Sequence, residues 1–203
     1  MSTSRIGGLA DGVIAIAATL LILNVDTAVQ EEAGLARELI RIWPSYVAYA
    51  VSFLTIGIIW VNHHTLMDLV ATTDRKFLLA NVGLLMCIAF IPFPTRLVAE
   101  HLGEDGARAA TLAYGITLTA TAVMFSVVWF SASIGRRLLR PDADPKVVSG
   151  ITRSYLPGPW IYLGATLVAL INPTASAILY LAIAVFYVIE SSLFGRADVG
   201  VYQ

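Results

Sequence analysis

The stretch RIGGLADGVIAIAATLLILNV, residues 5–25, decides the fold of this chain. A helix needs about 20 mostly apolar residues to cross the hydrocarbon core of a bilayer, and this stretch has that length. It nevertheless opens with Arg5 and carries an acid, Asp11, in its first turns, before an uncharged run of Ile, Ala and Leu. The apolar run leads into Leu-Asn-Val-Asp, residues 23–26, instead of a small-residue cleavage site, so we interpret it as a retained membrane span.

The composition of the whole chain indicates an integral membrane protein. Of its 203 residues 58% are hydrophobic and 13% charged, whereas about 25% are charged in an average soluble domain. This length predicts a single membrane domain, 1–203. The net charge of −1 gives no bulk attraction to nucleic acid, and the single Cys87 excludes an intrachain disulfide or a cysteine-based metal site.

Six apolar segments predict the architecture. Their residues run on without strand-like alternation, and only helices or closed barrels satisfy their backbone in lipid. We expect an all-α fold with transmembrane helices at about 6–25, 44–66, 77–100, 109–134, 155–172 and 174–194. An amphipathic segment, EEAGLARELIRIWP, leads into the second span at the interface, and Pro92 and Pro94 are expected to kink or end the third helix.

The basic residues of the loops predict the orientation, since cytoplasmic loops carry an excess of Lys and Arg. One side of the six-span layout collects nine of them and the other side four. The nine are Arg5, Arg75, Lys76, Arg136, Arg137, Arg140, Lys146, Arg153 and Arg196, and the four are Arg37, Arg41, Arg96 and Arg108. We therefore expect a multi-pass protein of the plasma membrane with both termini in the cytoplasm.

The first helix separates an apolar stripe from its acid. At 100° per residue Ile16, Leu20 and Leu23 share one narrow stripe with Thr19 at its edge, and Asp11 lies about 140° from Ile16. Small residues beside Asp11 permit close packing, so the carboxylate is expected to point into protein. An acid within a span suggests a functional site, but a structural role in tying helix ends together is the simpler interpretation. From the sequence alone, a plain lipid-facing or core face is the better explanation of the stripe.

The end of the second helix, WVNHHTLMD (60–68), is polar and finishes on the side where the first helix begins. Adjacent histidines point in different directions on a helix, and no HExxH pattern accompanies them, so metal ligation is not expected. We predict a polar cluster with Asp11 and Arg5, in which Trp60 is either a member or an interfacial anchor. The further candidate members are Asn62, His63, His64 and Asn81.

These stretches resemble a known family. Arg5-x-x-x-Leu9-Ala10-Asp11 is similar to the RxxxFSD signature of the transmembrane protein 175 family, the lysosomal and prokaryotic potassium channels. The segments DGVIAIAATLLILNV, WVNHH and NVGLLMCIAFIPFPTRLVAEH are similar to the same family. Leu9-Ala10 replaces the usual Phe-Ser, and because alanine cannot make the serine's hydrogen bond, we expect a thinner polar network.

The resemblance implies a potassium-selective channel without the pore loop of other potassium channels, and indeed no TVGYG-like segment is present. It implies that the first helix lines a central pore, with Ile16, Leu20 and Leu23 as the constriction and Thr19 tuning selectivity. A single six-helix repeat implies a prokaryotic homotetramer. Potassium would be the permeant ion, with no cofactor.

Two other function classes stay open from the residues alone. A proton-coupled secondary transporter would use Asp11, His63 or Glu190 as its proton site, although Glu190 also fits an interfacial position. Broken helices and an inverted repeat are typical of such transporters, and here only the third helix is interrupted. An enzyme has little support, because no nucleophile–base arrangement, phosphate-binding glycine loop or paired carboxylates are present.

Overall fold

The computed structural model describes residues 3–25 and 35–194, which form a bundle of helices with no β-strand in this part of the chain. The helices are α1 (Thr3–Leu20), α2 (Leu35–Arg41), α3 (Trp43–Leu69), α4 (Arg75–Phe90), α5 (Pro92–His101), α6 (Ala107–Ser133), α7 (Pro145–Tyr155), α8 (Gly158–Val168) and α9 (Pro173–Phe194). Short 3₁₀ turns follow α1 at Leu21–Asn24 and α6 at Ile134–Arg136.

The long apolar helices match the predicted spans in order. Four segments are long and apolar enough to cross a membrane: Thr3–Asn24, Trp43–Leu69, Arg75–His101 and Ala107–Arg136. The third of them is divided at Ile91 into α4 and α5, as the two prolines predicted. The all-α membrane fold is therefore confirmed.

The fifth predicted span, 155–172, is the one that differs most from its expected form. Its one new α-helix is Gly158–Val168, because the chain turns at 156–157 between α7 and this helix and turns again at 169–171. The sixth begins at Pro173 as expected, with the Asn172 side chain accepting a hydrogen bond from the Ala175 amide at 3.0 Å. The predicted amphipathic lead-in contains α2, and its residues 31–34 lie outside the described residues.

Buried hydroxyl groups join the middle of the bundle. The Ser52 hydroxyl of α3 lies 2.9 Å from Thr95 Oγ1 of α5 and 3.0 Å from the Tyr114 hydroxyl of α6. Farther along α6, Gly115 leaves room for the hydroxyl of Tyr180, which would lie 2.0 Å from a Cβ at that position. These contacts satisfy polar groups that would be costly to bury in lipid, and they fix α3, α5, α6 and α9 against one another.

One end of the bundle is closed by backbone pairing between two connections. The Arg140 amide donates to the Leu69 carbonyl, and the Ala71 amide donates to the Leu138 carbonyl, both at 2.9 Å. Asp74 caps α4 by accepting from the Phe77 amide and pairs with Arg137. The amide hydrogen bond and the guanidinium hold the pKa of Asp74 below its usual value. The basic clusters at 75–76 and 136–140 therefore lie at the same end of the molecule.

Candidate functional site

Helix α1 has one face packed on its own subunit and one face uncovered. The packed residues recur every three or four positions and are almost fully buried: Ile6, Ala10, Ile14, Ala17 and Leu21. On the other side, the exposed fractions of Ile16, Leu20 and Leu23 are 60%, 43% and 71%. The stripe identified in the sequence is therefore the side of α1 that the described part of the chain leaves open.

The last turn of this segment departs from the prediction of a continuous α-helix to residue 25. The α-helix ends at Leu20, and the 3₁₀ turn winds more tightly, at about three residues per turn. Leu23 stays exposed, while the side-chain amide nitrogen of Asn24 donates to the Pro92 carbonyl at 2.8 Å. Sequence reasoning missed this anchor. A single amide at the end of an apolar run, opposite a proline-broken helix, was the available signal.

Thr19 lies exposed at the edge of the stripe, and its hydroxyl donates to the Ile16 carbonyl at 2.9 Å. The proton of the hydroxyl is thereby directed at the backbone. A hydroxyl oxygen that donates once still has acceptor capacity. Thr19 thus presents an oxygen, and not a proton, to whatever occupies the space beside the uncovered face.

Asp11 differs from its predicted setting. It is exposed on the single chain, and its partner is the Trp60 indole, whose Nε1 donates to Asp11 Oδ1 at 2.9 Å. The Trp60 ring stacks on His64, with centroids 5.9 Å apart, and His64 Nε2 lies 3.7 Å from Asp68 Oδ2. Arg5 is exposed and makes no hydrogen bond or ion pair with residues 3–25 or 35–194, so the expected contact between Arg5 and Asp11 is absent there.

His63 belongs to a second, separate contact inside the bundle. It is only 2% exposed, and its Nε2 lies 2.9 Å from Asn81 Oδ1, whose amide nitrogen donates to the Phe77 carbonyl at 2.8 Å. Because an amide oxygen only accepts, His63 carries the donated proton on Nε2. The neighbouring Asn62 is half-buried, and its carbonyl accepts from the Tyr155 hydroxyl at 3.4 Å.

The predicted polar cluster is therefore two contacts that face opposite ways. The Asp11–Trp60–His64–Asp68 chain lies on the exposed side, whereas the His63–Asn81 pair lies in the core. Within the described ranges, no three His, Cys, Asp or Glu side chains are grouped so as to hold a metal ion. Glu190 belongs to α9, but its side chain lies outside the described part of the structure.

Comparison with known proteins places this geometry in a family. The model of the endosomal/lysosomal potassium channel TMEM175 matches residues 5–92. A potassium channel of Chamaesiphon minutus is 39% identical over 193 residues, which cover 94% of this chain and 95% of that protein. The chain belongs to the TMEM175 family.

A second relative and a solved structure agree with this match for the TMEM175 chain. A potassium channel of Streptomyces collinus is 41% identical over 144 residues, covering 70% of each protein. The crystal structure of a lysosomal potassium-selective channel TMEM175 homologue from Chamaesiphon minutus superposes with a TM-score of 0.85 at 38% identity, covering 93% of this chain and 97% of that one. The resemblance read from the sequence motifs is thereby confirmed.

Proposed function

We propose that this TMEM175 chain is a potassium-selective channel, assembled as a homotetramer in which α1 of every subunit lines a central pore. The observation that carries the proposal is the uncovered apolar face of α1, formed by Ile16, Leu20 and Leu23. Close relatives that are named potassium channels support the ion and the passive mode of transport. The channel function leaves no role for a cofactor and none for enzymatic chemistry.

The placement of α1 supports a pore-lining role over a lipid-facing one. Its exposed side carries Gly12, Ala15 and Thr19 beside the larger apolar residues, so neighbouring helices can approach closely. Hydrogen bonds hold the segment at two levels, through Asp11 to Trp60 and through Asn24 to the Pro92 carbonyl. A helix fixed in this way would keep one face toward the symmetry axis of the proposed tetramer.

The mechanism follows from the chemistry of that face. Apolar rings in a narrow pore oppose conduction by dewetting, so Ile16, Leu20 and Leu23 would act as a hydrophobic constriction. The Thr19 oxygen is the polar side-chain atom at the edge of this stripe and would contact a partly dehydrated cation. No charged side chain belongs to the stripe, so selectivity would arise from dehydration and from this oxygen, not from a ring of acids.

The orientation is proposed from charge. Arg75, Lys76, Arg136, Arg137 and Arg140 lie at the end of the bundle that the backbone pairing between the two connections closes. This grouping supports a cytoplasmic position for that end. We therefore propose that both termini lie in the cytoplasm and that the membrane is the plasma membrane.

Ion flux from liposomes tests the proposal. The purified full chain should release potassium down its gradient with no proton gradient present, and sodium more slowly. The reversal potential in mixed potassium and sodium should lie near the potassium equilibrium value. Potassium movement that requires a proton gradient, with a fixed stoichiometry, would instead support the proton-coupled transporter that uses Asp11, His63 or Glu190.

A further inference from the structure

A cavity of about 620 Å³ lies between α3, α6, α7 and α8, away from the uncovered face of α1. Binding sites for small molecules in proteins have volumes of about 300–1,000 Å³. Its walls are largely apolar and include Ile58 and Ile59 of α3, Leu118 and Phe125 of α6, and Ile151 of α7. The potassium-channel function proposed above does not use this space.

The cavity results from the break in the fifth span. Helix α8 has 11 residues and a length of about 16 Å, whereas the hydrocarbon core is about 30 Å thick. The ends of α3 and α6 that reach beyond α8 are covered by α7 instead. Helix α7 contacts α6 through Trp129 Nε1 to Thr152 Oγ1 at 3.0 Å and through the rings of Phe125 and Tyr155. It reaches α3 through the Tyr155 hydroxyl, which donates to the Asn62 carbonyl at 3.4 Å.

Three hydroxyl groups of the wall are already satisfied within their own helices. The hydroxyls of Thr55, Thr121 and Ser126 donate to the carbonyls four residues earlier, at 2.8, 2.8 and 3.1 Å. A hydroxyl that donates to its own helix does not need a hydrogen-bond acceptor from a neighbouring molecule. The interior of the cavity is therefore suited to a hydrocarbon chain and offers little to a polar solute.

The rim of the cavity has the opposite character. Arg153 lines it from α7, is exposed, and makes no hydrogen bond or ion pair with any described residue. Ser154 and the Asn62 side chain line the same cavity and supply further polar groups. A guanidinium presents paired N–H donors that match two oxygens of a phosphate. An apolar cleft with one unpaired arginine at its edge complements an amphiphile with an anionic head.

We propose that this cavity binds an anionic phospholipid of the bilayer, with one acyl chain between α3, α6 and α7 and its phosphate at Arg153. The apolar wall favours a lipid acyl chain, and the unpaired positive charge of Arg153 favours an anionic headgroup. A zwitterionic lipid also carries a phosphate, but its own cation offsets that charge, so it would pair with Arg153 more weakly; a free phosphate would leave the wall empty.

Native mass spectrometry of the purified full chain tests the site, with phosphatidylglycerol and phosphatidylcholine added at equal concentration. The wild type should retain phosphatidylglycerol about fivefold better, as expected from one basic side chain at a membrane surface. Arg153→Gln should abolish that preference. Lys146→Gln, which removes the same charge from α7 at a position outside the cavity, should preserve it.

A second pair of variants tests the interior. Gly150 lines the cavity, and a Cβ at this position meets no atom within 4 Å. Gly150→Phe and Gly150→Leu should therefore occupy part of the cavity and reduce retention of both lipids. Gly164→Phe is the matched control, since Gly164 also lies in open space but does not line the cavity. Lipid retention unchanged by Arg153→Gln and Gly150→Phe would overturn the proposal. So would a changed subunit count in the Gly150 variants, which would make the cavity an interface between copies, or an equal preference for a neutral lipid.

Discussion

Ile14 and Ile16 are two residues apart on α1, yet the first is 3% exposed and the second 60%. The buried face packs on α3 and α4 within one subunit, whereas the uncovered face has no neighbour among the described residues. Both faces carry large aliphatic residues, so the presence of such residues does not separate them. One apolar face of α1 therefore packs within the subunit and stabilises its fold. The other face is available for contacts outside the subunit.

The largest expected effect comes from placing a polar group on the buried face. Ile14→Asn removes a packed side chain and buries an amide without partners, which should lower the free energy of unfolding by about 3–5 kcal/mol. We expect a severe loss of folded protein in detergent, measured by size-exclusion chromatography and thermal unfolding. A folded Ile14→Asn protein of normal stability would contradict the division of α1 into two faces.

The adjacent histidines of α3 sharpen the same contrast. His63→Ala leaves the Asn81 oxygen buried without its donor, which should lower the free energy of unfolding by about 1–3 kcal/mol. His64→Ala is the matched control, because its contact with Asp68 is exposed and should contribute about 1 kcal/mol or less. Thermal unfolding of the two variants measures the difference. Equal losses would show that the buried His63–Asn81 pair and the exposed His64–Asp68 contact stabilise the fold equally.

On the uncovered face a polar side chain should change conduction and leave folding intact. Ile16→Asn lowers the dewetting barrier of the constriction, and a barrier lower by about 1 kcal/mol raises potassium flux about fivefold. Ile178→Asn in α9 is the matched control, since Ile178 is 61% exposed and lies far along the chain from the stripe. Liposome flux that rises equally in both variants, or in neither, would remove Ile16 from the gate.

Substitution of Asp11 tests whether this residue lies at the contact between subunits. The sequence predicts a buried acid whose loss is costly, about 3–5 kcal/mol, whereas the structure shows an exposed carboxylate with a hydrogen bond from Trp60. We now expect Asp11→Ala to lower subunit stability by about 1 kcal/mol, and Asp11→Asn less, because an acceptor remains. Unfolding of the subunit and yield of the oligomer are measured side by side. A loss of oligomer that exceeds the loss of folded subunit would place Asp11 at the contact between copies.

Sequence periodicity predicted the spans well because membrane helices must be long, apolar and internally hydrogen-bonded. The sequence also predicted the break at Pro92, because a proline removes a backbone hydrogen-bond donor from the helix. The short α8 was missed because its residues are as apolar as those of a complete span, and only the prolines around Gly158 mark its start.

The candidate site was predicted less completely than the fold. The stripe of α1 followed from counting at 100° per residue, but counting does not tell which partner a polar group selects. Asp11 binds Trp60 and not Arg5, and His63 binds Asn81, because tertiary packing decides which donors come within 3 Å. The Asn24 contact with the Pro92 carbonyl depends on a 3₁₀ turn and a helix break meeting in space, which no local pattern specifies.

The smallest expected effect concerns Thr19, whose oxygen lies at the edge of the uncovered face. Its hydroxyl already donates to the Ile16 carbonyl, so removing it costs the helix little. Thr19→Ala should leave folding and oligomer yield unchanged and lower the preference for potassium over sodium about two- to threefold, on the scale of one weak hydrogen-bonding group. Thr19→Ser keeps the oxygen and should retain the preference. Thr65→Ala is the matched control, because Thr65 is also exposed and bonded to its own helix but belongs to α3. The reversal potential in mixed potassium and sodium measures the effect. An equally large shift in the Thr65→Ala and Thr19→Ala variants would show that selectivity does not depend on the stripe of α1.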